Sequence, residues 1–150
     1  MLWMALGVFV ADRLVKVWAL SALADGRVIH CLPGVFRLVY AENTGAAFGL
    51  FAATPWVGYV LTPLMLLIGY LLLRGYRLSL LPRLCAGLIL GGAVGNYLDR
   101  LIYGFVIDMI DVTFMNFAVF NLADAAICAG GAGMAASLLL RPKDWRALND

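Results

Sequence analysis

The chain has 150 residues, of which 64% are hydrophobic and only 13% are charged. Its mean hydropathy of +0.93 excludes an ordinary soluble domain and predicts a membrane protein with several spans. The length leaves room for a single domain, residues 1–150, with about four helices of roughly 20 residues each. A net charge of +2 argues against a nucleic-acid partner, and the spacing of the three cysteines predicts neither a metal site nor a disulfide framework.

Four long apolar segments predict an all-α membrane fold with four transmembrane helices. The first segment resembles a signal peptide in position, but Asp12, Arg13 and Lys16 lie in its middle and no convincing cleavage site follows. We therefore expect this segment to be retained as a helix. The predicted spans run from about Leu2 to Leu23, from Trp56 to Leu73, from Leu84 to Ile102 and from Ala118 to Leu140.

Basic residues at the ends of these segments predict the orientation of the chain. Lys and Arg are enriched in cytoplasmic loops, so both termini are expected to be cytoplasmic. Residues 24–54 and 103–117 are then expected on the outer face. The basic residues that decide this are Arg74, Arg77 and Arg83 between the second and third spans, and Arg141, Lys143 and Arg146 after the fourth.

The outer segment Val28–Phe51 has the character of β-strands. Pro33 and Gly34 form a turn signal, and β-branched and aromatic residues follow up to Tyr40. Open strand edges cannot face lipid, so a small extracytoplasmic β-cradle between spans 1 and 2 is expected at the interface or over a cavity.

Charged residues within the spans need partners, because each costs about 2.5–3.5 kcal/mol near the bilayer centre. Asp12 and Lys16 are four residues apart, so they share a helix face and are expected to pair. In the third span, Asn96, Asp99 and Arg100 project as one polar face. We expect Arg100 or Lys16 to compensate Asp99.

Three acids remain without a nearby base: Asp108, Asp111 and Asp124. Two carboxylates held a few ångströms apart cannot both ionise cheaply, so such a pair holds one proton near neutral pH. One member can then activate water while the other donates a proton. The spacing does not decide whether Asp108 or Asp111 partners Asp124. In the alternative interpretation, all three acids only solvate the outer ends of helices.

Five sequence blocks, in order from the first span to the fourth, carry most of these polar residues. A lone Asn-x-x-Asp-Arg would be weak, but five ordered blocks are specific. They are Asp12-x-x-x-Lys16, Glu42-Asn-Thr-Gly-Ala-Ala-Phe48, Gly91-Gly-Ala-Val-Gly-Asn-Tyr-Leu-Asp-Arg100, Gly104-Phe-Val-Ile-Asp108 and Phe120-Asn-Leu-Ala-Asp124. The combination resembles lipoprotein signal peptidase, the type II signal peptidase of bacteria. Ile107 and Met109 stand where Val and Phe are common.

This resemblance implies a membrane aspartic endopeptidase that removes signal peptides from bacterial prolipoproteins, cutting on the amino side of the diacylglyceryl-modified lipobox cysteine. It places the catalytic aspartates at Asp108 and Asp124, near the extracytoplasmic face of the cytoplasmic (inner) membrane. It implies no cofactor and no metal. The expected partners are diacylglyceryl-modified prolipoproteins and membrane lipids, and the expected state is a monomer. The residues implied to bind substrate or support the dyad are Asp12, Lys16, Asn43, Gly45, Asn96, Asp99, Arg100, Asn121 and Ala123.

Competing interpretations explain less of the sequence. His30 is the only histidine, which argues against a histidine-based zinc cluster. A proton-conducting or transport subunit would spread its acids along the whole membrane depth, whereas these gather towards one face. A non-catalytic membrane scaffold leaves the acids without a purpose. A serine–lysine dyad would have to combine Ser21, Ser79 or Ser137 with Lys16 or Lys143.

Overall fold

The structure is a computed structural model that describes residues 1–45, 56–115 and 117–148. Ala46–Phe48 of the second sequence block lie outside the described residues. The described part contains four long helices, α1 (Leu2–Ala22), α2 (Trp56–Leu73), α3 (Leu80–Tyr103) and α4 (Leu122–Leu140). Its strands are β1 (Ile29–Leu32), β2 (Phe36–Asn43), β3 (Tyr76–Leu78), β4 (Val106–Val112) and β5 (Trp145–Ala147).

The fourth helix begins later than the sequence predicts, at Leu122 rather than near Ala118. Asn121 stops it from extending further, because its Oδ1 accepts a hydrogen bond from the backbone N–H of Asp124 at 2.9 Å. The Asp124 Oδ2 accepts in return from the backbone N–H of Asn121 at 3.2 Å. This reciprocal cap fixes the helix start. Phe120, just before it, forms a β-bridge to β4 instead.

The strands expected between the first two spans are present, and they belong to a larger sheet than predicted. The sheet is antiparallel with the order β1-β2-β4, so its third strand comes from the connection between α3 and α4. In the register of β2 and β4, Ala41 lies opposite Asp108 and Arg37 lies opposite Asp111. The first four residues of β4, Val106–Met109, are buried. The sheet therefore brings one of the candidate acids into the interior.

Helix α3 is the central helix and packs against α1, α2 and α4. Glycines permit this close packing. A Cβ added at Gly92 would lie 2.5 Å from the carbonyl oxygen of Ala123 in α4, and one added at Gly91 would collide with the backbone of Ala5 in α1. The helix ends at Tyr103, and the capping residue Gly104 has a φ of 82°, in the left-handed region.

Helix α1 is apolar on its outward face and charged on its inward face. Trp3 and Leu14 are 86% and 67% exposed, whereas Asp12 and Lys16 are buried. Among the described helices, α2 and α4 are long and apolar enough to cross a membrane by length and composition. The charges of α1 and α3 that lower their hydropathy are mostly turned into the molecule.

A second, two-stranded sheet lies at the opposite end of the molecule from the first. β3 follows α2, and β5 follows α4 and a short 3-10 turn at Pro142–Asp144. The two strands pair antiparallel. The sequence does not predict this sheet, because strands of three residues carry almost no periodic signal.

Candidate active site

Two carboxylates from different elements, one buried and one partly buried, are bonded by one asparagine. Asp108 lies in β4, Asp124 lies in the first turn of α4, and Asn121 is the capping residue between them. The Asn121 side-chain N–H donates to Asp108 Oδ1 at 2.6 Å, while its side-chain oxygen and backbone N–H form the reciprocal cap with Asp124. Asp108 is 1% exposed and Asn121 is fully buried. The cap that starts α4 therefore also sets the positions of both acids.

The second oxygen of Asp108 accepts a hydrogen bond from the neighbouring strand β2. Asn43, at the end of β2, donates from Nδ2 to Asp108 Oδ2 at 2.9 Å. Burial, and after it the negative charge of Asp124, raise the pKa of Asp108 to about 7, against the hydrogen bonds from Asn43 and Asn121 that lower it. A carboxyl with this pKa exchanges its proton near neutral pH.

Asp124 is connected to a buried lysine through Asn96 of α3. The Asn96 side-chain N–H donates to Asp124 Oδ1 at 2.7 Å. The Asn96 side-chain oxygen accepts from Lys16 Nζ at 2.7 Å and from Asn121 Nδ2 at 3.1 Å. Two donors at that oxygen fix the orientation of the amide, so its N–H must face Asp124.

Lys16 lies in an ion cluster behind the two acids. Its Nζ is 2.9 Å from Asp12 Oδ2 and 2.6 Å from Asp99 Oδ2. The expected pairing of Asp12 with Lys16 is confirmed, and so is the compensation of Asp99 by Lys16. Arg13 also bonds Asp99, a role that the sequence analysis missed although Arg13 is a second basic residue within an apolar span. Asp12 Oδ1 accepts from the backbone N–H of Ala123 at 3.1 Å, which ties the cluster to α4.

Arg100 has different partners from those the sequence suggested. Among the described residues it forms no ion pair with Asp99, because its guanidinium is directed towards the loop after β2. It donates from NH2 to the carbonyl oxygen of Gly45 at 2.8 Å and from NH1 to that of Asn96 at 3.3 Å. Tyr59 of α2, also missed, donates to the carbonyl oxygen of Arg100 at 2.7 Å.

Asp108 and Asp111 have different surroundings in the structure. The two residues are three apart in β4, so they lie on opposite faces. Asp111 forms a salt bridge with Arg37 at 2.7 Å. Only Asp108 shares a hydrogen-bonding partner with Asp124.

The competing site chemistries have no counterpart in the described residues. Lys16 contacts two acids and Asn96, Ser21 donates to the carbonyl oxygen of Trp18, and Ser137 contacts Asp144 and Trp145, so no serine bonds a lysine there. The described residues also contain no group of three or more His, Cys, Asp or Glu side chains suited to a metal ion.

Comparison with known proteins places this geometry in a family. A sequence model for signal peptidase (SPase) II matches residues 4–140. The chain is 42% identical over 123 residues to the lipoprotein signal peptidase of Trichormus variabilis, which covers 81% of this chain and 78% of that protein. It is 35% identical over 146 residues to the lipoprotein signal peptidase of Latilactobacillus sakei, with coverages of 95% and 97%. The chain belongs to the signal peptidase II family.

The fold agrees with this assignment. A solved bacterial membrane enzyme superposes with a TM-score of 0.79 at 24% sequence identity, covering 93% of this chain and 92% of that one. The predicted family is thus confirmed, and with it a membrane peptidase that removes signal peptides from prolipoproteins.

Proposed function

We propose that this member of the signal peptidase II family is an aspartic endopeptidase whose catalytic pair is Asp108 and Asp124. The observation that carries the proposal is that a buried carboxylate from β4 and a partly buried one from α4 are both bonded by Asn121. All four carboxylate oxygens of the pair accept from an N–H group, so both side chains are fixed before substrate arrives. Such preorganisation is what general acid–base chemistry requires.

We assign the two acids different roles in the attack of a water molecule on the peptide bond. One carboxylate removes a proton from the water as the water oxygen attacks the scissile carbonyl carbon. The other, protonated, donates a hydrogen bond to the carbonyl oxygen and then delivers its proton to the leaving nitrogen. A pKa of about 7 lets Asp108 keep or release a proton at neutral pH. The reaction forms no covalent intermediate with the enzyme.

The surrounding residues are proposed to hold the pair and to position the substrate. Asn43 and Asn96 each orient one acid, and the Asp12–Lys16–Asp99 cluster holds Asn96 and the start of α4. Arg100 fixes the backbone at Gly45, whose N–H donates to Asn43 Oδ1 at 3.0 Å. The loop that follows β2 is thereby linked to the residue that bonds Asp108.

We propose four transmembrane helices with both termini in the cytoplasm and the site near the outer face of the bacterial inner membrane. The distribution of charge supports this orientation. Both basic segments lie at the end where β3 pairs with β5, and the acids and the larger sheet lie at the other end. Helix α1 buries its charges and exposes apolar side chains, as a span does when it packs into a polar bundle interior.

The proposed cleavage point is the amino side of the diacylglyceryl-modified lipobox cysteine. The acyl chains of that cysteine stay in the bilayer, so the membrane holds the peptide at the depth of the two acids. The peptide therefore does not have to find the site by diffusion from solution, and the entropic part of the barrier to cleavage is lower. We propose that the single domain acts as a monomer.

The test compares two peptides of identical sequence, one with a diacylglyceryl-modified lipobox cysteine and one without lipid. The purified enzyme in lipid nanodiscs should cleave the modified peptide faster by at least about 100-fold, a fraction of what pre-positioning can supply. A chelator should leave the rate unchanged. Equal rates on the two peptides would contradict lipid-directed recognition, and zinc-dependent activity would contradict the aspartic chemistry.

A further inference from the structure

The small sheet at the basic end contains two arginines directly opposite each other. Arg77 of β3 pairs with Arg146 of β5 in the antiparallel register. Both side chains are exposed, and neither has an ion pair or hydrogen bond to another residue in the described ranges 1–45, 56–115 and 117–148. Residues opposite each other in such a ladder have Cβ atoms about 5 Å apart, and like charges there destabilise the pairing. An anion between the two guanidinium groups would reverse this effect.

The other face of the same sheet is apolar and attached to the protein. Side chains alternate across a strand, so Tyr76 and Trp145 lie on the face away from the arginines. Their rings pack edge to face with centroids 6.0 Å apart. The Trp145 indole N–H also donates to Ser137 Oγ of α4 at 3.2 Å. The aromatic side thus holds the sheet in place, and the arginine side remains available to a ligand.

The segments around the sheet carry an excess of positive charge. Residues 74–83 and 141–148 contain six basic residues and one acid, Asp144. Asp144 Oδ2 accepts from Ser137 at 3.4 Å, and no acid among the described residues forms an ion pair with these bases. The other four basic residues of the two segments are Arg74, Arg83, Arg141 and Lys143.

The depth of the sheet indicates where the anion comes from. Leu72, Leu80 and Leu140 beside it are 66%, 66% and 79% exposed, which is typical of side chains that face hydrocarbon. Tyr and Trp, here on the same sheet, are enriched at the headgroup level of a bilayer. An open groove of about 350 Å³ begins at the end of the sheet and runs between Arg141 and leucines of α3. The anions that a bilayer offers at the headgroup level are lipid phosphates.

We propose that Arg77 and Arg146 together bind the phosphate of an anionic phospholipid in the leaflet next to this end of the protein. Arginine suits this role because its planar guanidinium can bond two phosphate oxygens at once. A sheet of two three-residue strands is marginal by itself. The bound phosphate would therefore stabilise the pairing of β3, which connects α2 to α3, with β5, which follows α4. The site lies at the opposite end from Asp108 and Asp124, so it stands independently of the proposed chemistry.

The experiment measures thermal unfolding in nanodiscs of phosphatidylcholine alone and of phosphatidylcholine with phosphatidylglycerol, at matched ionic strength. The wild-type protein should gain about 2–4 °C in Tm from the anionic lipid, because a ligand that binds the folded state stabilises it. Arg77→Gln should lose most of this gain. Arg77→Glu supplies a carboxylate opposite Arg146, so it should unfold near the higher temperature in both lipids.

Arg27→Gln is the matched control, because Arg27 is exposed at the other end of the protein and pairs with Asp25 at 3.3 Å. It should keep the full response to phosphatidylglycerol. An equal response of wild-type protein and Arg77→Gln, or a wild-type response in Arg77→Glu, would overturn the proposal. Millimolar inorganic phosphate added to phosphatidylcholine nanodiscs should have no effect, and equal stabilisation by it would overturn the assignment to a lipid.

Discussion

The substitution Asp108→Asn should stabilise the protein at alkaline pH while removing a proposed catalytic group. Burial and the charge of Asp124 raise the pKa of Asp108 from 3.8 to about 7. Each pKa unit corresponds to about 1.4 kcal/mol, so ionising Asp108 in the folded protein costs on the order of 4 kcal/mol. The folded pKa lies above the unfolded one. The free energy of unfolding therefore falls as pH rises between these two values, and the full cost is present above pH 7.

The amide of the variant removes this dependence on pH at a small cost in hydrogen bonding. Asn43 and Asn121 donate to the two oxygens of Asp108 at 2.9 and 2.6 Å. An amide offers only one oxygen, so one of these bonds is lost, at about 1–2 kcal/mol. That loss is the same at every pH. The stability of the variant relative to wild type should therefore rise by about 2–3 kcal/mol between pH 5 and pH 8.

Unfolding in mixed micelles at pH 5 and pH 8 measures this difference. Asp111→Asn is the matched control, because Asp111 lies in the same strand but pairs with Arg37 and is only partly buried. The pH dependence of its stability should stay close to that of the wild type. A difference between Asp108→Asn and wild type that does not change with pH would refute the raised pKa of Asp108.

Two further predictions concern the membrane and the ion cluster. Reporters placed after Arg77 should read cytoplasmic and one near Arg27 should read extracytoplasmic, because basic loops stay inside; the reverse result would overturn the four-span orientation. Lys16→Met should lower the free energy of unfolding by roughly 3–5 kcal/mol, because the buried carboxylates of Asp12 and Asp99 lose one of the two cations they share and keep only Arg13. The exposed Lys143→Met is its control in the same denaturation assay, and equal effects of the two would contradict the role of the cluster.

The sequence predicts the helices and the acids well because the signals for both are strong. Long apolar runs define the helices, and carboxylates in apolar surroundings are rare enough to mark a site. Periodicity also identifies the pair Asp12 and Lys16, since both belong to one helix. The spacing does not decide which acid partners Asp124. That choice depends on the face of a strand that Asp108 occupies, and no strand is predicted within residues 103–117.

The contacts that the sequence missed all connect separate elements. Arg13 reaches Asp99 across two helices, and Arg100 reaches the carbonyl oxygen of Gly45 beyond β2. The position of a charged residue in the sequence does not show which residue of another element it will pair with. The start of α4 was misplaced for a related reason: residues from Ala118 onward are apolar, but the cap at Asn121 decides where the helix begins.

Cleavage of a diacylglyceryl-modified lipobox peptide by Asp124→Asn tests the central claim most directly. The amide keeps the shape of the side chain but cannot exchange a proton, so the rate should fall by about 100-fold to 10,000-fold relative to the wild type. Asp108→Asn should fall equally far, while Asp111→Asn should stay within a few-fold of the wild-type rate. Thermal unfolding of each variant verifies that it is folded. Turnover by folded Asp124→Asn within tenfold of the wild type would contradict catalysis by the two aspartates.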